Sequence, residues 1–130
     1  MKKNEVKIAQ EWFTKADHDF ENAKIILKNH GYYDTVAFLL QQTIERYLKG
    51  YLLYHGWRLK KTHDLEELVT EAIRIDMTFE KLLPDCQRIS QYYIESRYPL
   101  EPPVEYSEKE IRDSFEVAER IIKKIKAEVR

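Results

Sequence analysis

Apolar residues return at intervals of three and four along most of this chain, the spacing that puts them on one side of an α-helix. The first such run extends from about Glu5 to Asn29, with Ile8, Trp12, Ala16, Phe20, Ala23 and Leu27 as its stripe. Gly31 follows and supplies a residue that takes positive φ easily, a natural stop. A second helix is predicted from about Tyr33 to His55, halted by Gly56, with Ala37, Leu40, Ile44, Leu48, Tyr51 and Leu52 turned inward. Phe38, Leu39 and Leu53 fall well off that stripe. A helix apolar on more than one side is central in its bundle or forms a subunit contact, and both are expected here.

A polar loop covers Trp57 to His63, and Asp64 with Glu67 three residues on reads as a capping box. The short third helix carries Leu65, Leu68 and Ile73 and ends near Ile75. After a turn at Met77-Thr78, Pro84 suits the first position of a fourth helix, which turns Cys86, Ile89, Tyr92 and Tyr93 inward and ends before Pro99. Three prolines make an extended loop of Arg97 to Glu105. Ser107 with Glu110 caps a last helix striped by Ile111, Phe115, Ala118, Ile122, Ile125 and Val129. No stretch alternates with period two, and no Asn-Gly or Asp-Gly hairpin signal occurs. The expected fold is all-α: an up-and-down bundle of four long helices plus one short one, a single domain over 1–130.

Composition narrows the function. Apolar residues make up 43% of the 130 residues, enough to line a helical core. The 22 basic and 23 acidic side chains nearly cancel, which argues against a sequence-independent nucleic-acid binder but leaves room for a local basic patch. Cys86 is the only cysteine, so an intramolecular disulfide and a thiolate-rich zinc site are excluded. The histidines are scattered without metal-ligand spacing, and neither a glycine-rich phosphate loop nor a nucleophile elbow appears; no metal or cofactor is expected. The N-terminus has no signal-peptide core and no run approaches a membrane span, so a cytoplasmic protein is expected.

Several short blocks then fall in a recognisable order. They are Trp12 to Phe20 with Ala23, Gly31-Tyr32-Tyr33-Asp34, Phe38 to Lys49, Lys61-Thr62-His63-Asp64-Leu65 and Ser96-Arg97-Tyr98-Pro99. Together, over about residues 8 to 120, they resemble the HEPN domain family. The resemblance implies a helical bundle that usually dimerises and is often encoded beside a minimal nucleotidyltransferase, as half of a toxin–antitoxin-like pair. The fold is also similar to the helical C-terminal domain of kanamycin nucleotidyltransferase. Some family members cleave RNA through an arginine followed, four to six residues later, by a histidine.

Arg58 and His63 match that motif formally, and an arginine beside a histidine suits phosphoryl chemistry. In the nuclease members, however, the motif lies later in the chain, and Arg97 has Pro102, Pro103 and Val104 where a histidine would fall. Thr62, His63 and Asp64 have a structural use as cap and loop anchor; flanked by Arg58, Lys60 and Lys61 they also outline an anion site. Glu45 and Lys49 are spaced as a helical ion pair, and Gln41 projects onto the apolar stripe, where a buried amide needs partners. Gln41, Glu45, Lys49 and His63 are therefore expected to form one polar network, structural first and ligand-binding second. Arg97 complements a helix C-terminus, while Tyr92, Tyr93 and Tyr98 near it could stack a base or pack at an interface.

The expected function is a non-catalytic, homodimeric binding module, partnered by a minimal nucleotidyltransferase. A nucleotide, ATP or GTP, would be held by residues drawn from Gln41, Glu45, Lys49, Lys61, His63, Arg97 and Tyr98. The alternative is a metal-independent ribonuclease toxin using Arg58 and His63, with RNA as its substrate.

Overall fold

The computed structural model describes residues 3–129, and among them every regular element is helical. Six α-helices follow in order: α1 (Lys3–Lys28), α2 (Tyr33–Tyr54), α3 (Leu65–Ile75), α4 (Leu83–Ser90), α5 (Tyr92–Glu95) and α6 (Glu108–Glu128). A 3-10 helix, Met77–Leu82, leads into α4. The all-α expectation holds. The expected long fourth helix is instead two short pieces, because Gln91 interrupts it between Ser90 and Tyr92.

α1 and α2 form an antiparallel hairpin: Phe13 stacks on Tyr47 late in α2, while Asp19 reaches Gln42 one turn earlier. The turn between them differs from expectation. His30, not Gly31, takes the positive φ, at 59°. Gly31 donates its N–H to the Ile26 carbonyl at 2.8 Å, and a Cβ there would lie 2.4 Å from the Ile26 side chain. Glycine is thus required for close approach rather than for its dihedral freedom. At the far end of α2, Gly56 does take positive φ, at 85°, as its stop role needs.

The buried face of α1 is rotated from the expected stripe. Ala9, Phe13, Ala16, Phe20 and Ala23 are buried, whereas Ile8 is 45% exposed and Trp12 half-buried. Gly50 decides this, since its missing side chain lets the Phe13 ring press against the α2 backbone. α2 is the central helix, packing against α1, α3, α4, α5 and α6 and burying residues around most of its circumference. One apolar core takes in every helix, and each fully buried Leu or Ile within it contributes about 1.5–3 kcal/mol. Phe38, Leu39 and Leu53 remain half-buried on the rim of α2.

Two expected capping boxes close only on one side. Asp64 accepts from the Glu66 N–H at 3.0 Å and Ser107 from the Glu110 N–H at 3.1 Å. The return carboxylates go elsewhere. Glu67 accepts from Thr62 Oγ1, and Glu110 accepts from the buried Tyr92 hydroxyl at 2.7 Å. Both are spent on tying separate segments together.

Candidate functional site

α2 carries three polar side chains into the protein at four-residue steps, so they lie one above another on a single face: Gln41, Glu45 and Lys49. All three are more than nine-tenths buried. Glu45 is the hub. One carboxylate oxygen accepts from Lys49 Nζ at 2.9 Å; the other faces Gln41 Nε2 at 3.1 Å and His63 Nδ1 at 3.0 Å. Gln41 also donates to the His63 backbone carbonyl at 3.2 Å, fastening the loop to the helix. Lys49 lies beside the Trp12 ring, 5.7 Å from its centre. The expected network is therefore present, and the pair is a buried one rather than a solvated surface bridge.

His63 opens this network to the surface, its side chain 47% exposed. Because a carboxylate only accepts, Nδ1 carries the proton toward Glu45, leaving Nε2 outside the bond. The imidazole stacks on Tyr93, with ring centres 4.0 Å apart and planes within 13°. The Arg97 guanidinium lies 4.3 Å from the centre of that same Tyr93 ring and 4.4 Å from the centre of Phe38. Two groups so close to one ring centre cannot share a face, so His63 and Arg97 sit on opposite faces of Tyr93. Phe38, Arg97, Tyr93 and His63 thus form a stack, anchored at one end by buried Glu45.

Phe38 is the member that sequence reasoning missed as part of the site. Tyr93 was expected near Arg97 as a ring that could stack a base or pack at an interface, and the four-residue step between them is its signal. Nothing local linked Phe38 to either, since that contact joins α2 to the segment after α5.

Other candidates stay outside. Arg58 and Lys61 are exposed and make no hydrogen bond or ion pair among the described residues, and nothing joins Arg58 to His63. Lys60 leans on Glu67 at 3.7 Å. The α3 N-terminus is satisfied internally, its first N–H groups bonding Ser90 Oγ and Asp64. Tyr98 is 56% exposed. A separate polar cluster joins α1 to α2: Arg46 and Gln42 both bond Asp19, at 2.8 and 3.1 Å. Burial pushes the Asp19 carboxyl above its ordinary range, with Arg46 opposing. No group of His, Cys, Asp and Glu arranged to hold a metal occurs among the described residues.

Comparison with known proteins matches the HEPN domain to residues 9–128. The chain belongs to the HEPN family. This HEPN chain is 25% identical, over 93% of its length and 88% of the relative's, to the protein named putative toxin MJ1304 of Methanocaldococcus jannaschii. Its fold superposes on TT1696 of Thermus thermophilus with a TM-score of 0.77 at 25% identity, covering 92% of this chain and 96% of that one. It also superposes, over the whole of both chains, on ST0689, an archaeal HEPN homologue, at TM-score 0.72 and 27% identity. No described helix is long and apolar enough to cross a membrane.

Proposed function

We propose that this HEPN chain is a toxin-like protein acting as a non-catalytic binding module in the cytoplasm. It works as a homodimer, engages a minimal nucleotidyltransferase as its partner, and holds a nucleotide, ATP or GTP, at the surface where His63 and Arg97 stand. The similarity to a protein named as a toxin supports the toxin-like part. The observation carrying the non-catalytic binding part is the network itself. Glu45 and Lys49 are consumed by each other, by Gln41 and by His63, so they position groups rather than react. What they position is a fixed imidazole beside a fixed guanidinium, which is a recognition surface. The half-buried Phe38, Leu39 and Leu53 give α2 an apolar rim for a second copy.

One observation favours the ribonuclease reading: a carboxylate on Nδ1 and an exposed Nε2 is how a general base is presented. Against it, the Arg58 of the formal motif does not join His63. Co-purification with a nucleotidyltransferase co-expressed beside it, together with calorimetry against ATP and GTP, tests the binding module. An RNA cleavage assay tests the rival: cleavage abolished by His63→Ala in a folded protein would replace the binding reading with the catalytic one.

A further inference from the structure

We infer that the groove between the last turns of α1 and the first turns of α6 docks a short acidic protein segment that carries an apolar anchor residue. This surface is separate from the His63–Tyr93–Arg97 stack, and the inference needs neither the nucleotide nor the nucleotidyltransferase of the proposed function.

The groove follows from how the two helices are placed. α1 and α6 both pack on α2 but approach each other closely at few points. Side chains bridge the gap instead: the Phe20 ring of α1 meets Phe115 of α6, with centres 5.6 Å apart and planes tilted by 54°. Beyond that contact, toward the α1 C-terminus, lie two adjoining hollows of about 520 and 330 Å³ that share Leu27, His30 and Arg112. Leu27, Tyr33 and Phe115 line them, each packed against the core yet only partly covered. An apolar side chain from another chain would complete that cover. Tyr32, 83% exposed, stands at one end, a residue type favoured at interfaces.

Charge names the partner. Each helix brings charged groups around an apolar one at steps of three and four: Lys24, Leu27 and Lys28 on α1, and Arg112, Phe115 and Glu116 on α6. Lys24 is held at the rim by the Phe20 ring, 4.6 Å from its centre, and its contact with Glu21 is long, at 4.0 Å, with both groups exposed. Lys28 and His30 are exposed, and their side chains make no hydrogen bond or ion pair among the described residues. Glu108 is spent on Arg112, whose guanidinium donates to it at 2.9 and 3.1 Å. What remains to meet a partner is Lys24, Lys28 and His30 against the single acid Glu116, around an apolar floor. Carboxylates flanking an apolar side chain complement that arrangement. A nucleic-acid strand fits it less well. Its charge recurs at every nucleotide and meets Glu108 and Glu116, whereas a protein segment can set its acids opposite the lysines alone.

The test is selection of random phage-displayed peptides on the full chain, followed by fluorescence anisotropy of the selected peptides. Selected sequences should combine aspartate or glutamate with a leucine, isoleucine or aromatic residue, and their binding should weaken as salt rises. Replacing the apolar anchor by alanine, or the acids by their amides, should each cost at least about tenfold in affinity. Lys24→Glu with Lys28→Glu should also lose at least about tenfold. Lys81→Glu with Lys123→Glu, the same change of charge at exposed positions outside the groove, should leave affinity within about twofold. Circular dichroism verifies that each variant keeps its helices, and the peptide series keeps the test intact if a variant does not. Selection of no sequence, selection of sequences without acids, or equal binding to the parent and the folded Lys24→Glu, Lys28→Glu protein would each overturn the inference. Single-stranded RNA that displaces the selected peptides and binds more tightly than they do would overturn it in favour of a nucleic-acid groove.

Discussion

A lysine and a glutamate buried side by side on α2 are the residues on which the site depends. Their bond removes two charges from water, so the pair itself adds little net stability, but breaking it leaves a lone charge inside the protein. Lys49→Ala is expected to cost about 3–5 kcal/mol in urea unfolding and to release His63 from its fixed orientation. A Lys49→Ala protein as stable as the parent would mean that Glu45 finds water there. Gly50, the next residue, carries a different constraint. A Cβ at this position would lie 2.5 Å from the Phe13 ring, so Gly50→Ala should cost about 1–3 kcal/mol despite alanine's better helix propensity. Arg58→Ala touches neither pair nor core and should leave both stability and ligand binding unchanged, in contrast to Arg97→Ala.

At the scale of elements, α6 begins at a single serine cap and is fixed along its length by side chains from other helices. Ser107→Ala should lose about 1 kcal/mol, measured as a lowered chemical-denaturation midpoint with unchanged slope. Glu110, spaced to complete that cap, instead meets Tyr92 and thereby joins α5 to α6, with Ser114 and Arg88 completing the cluster at 2.9 and 2.8 Å from the Tyr92 hydroxyl. α5 is only a single turn, yet it carries Tyr93 and delivers Arg97 immediately beyond its end. Its position is set from below, by buried Tyr92, rather than by any helical strength of its own. The element that presents the candidate site is thus a single turn held by contacts with α2 and α6.

For the whole molecule, burial of phenols sets the alkaline limit. Tyr47, Tyr51, Tyr92 and Tyr106 all have hydroxyls whose ionisation is pushed above the ordinary value near 10, chiefly by burial and then by neighbouring carboxylates. The Cys86 thiol is pushed up to about 12, chiefly by burial too. A group whose folded pKa is raised contributes stability that is complete below its unfolded pKa and fades as pH climbs past it. Stability should therefore fall above about pH 10. In a pH titration followed by phenolate absorbance, these four buried rings should ionise only together with loss of the helical circular dichroism signal. All tyrosines ionising near pH 10 with helicity intact would contradict the packing described.

The sequence by itself determined the fold class, the extent of α2, the start of α3 and α6, and the family. Each is written in local chemistry: periodic apolar residues, Asp64 and Ser107 as caps, Gly56 as a stop. It also determined that Gln41, Glu45, Lys49 and His63 would meet, because three of them share a helix face and the fourth lies in the loop near it. Tertiary structure decided the rest. Periodicity could not choose between Trp12 and Phe13, which are neighbours in the chain; Gly50, across the hairpin, chose Phe13. Nor could spacing along the chain show that Arg97 meets His63, thirty-four positions earlier, across one tyrosine ring. Side-chain stacking between separate elements leaves no periodic trace in a sequence, and in this protein that stacking makes the candidate site.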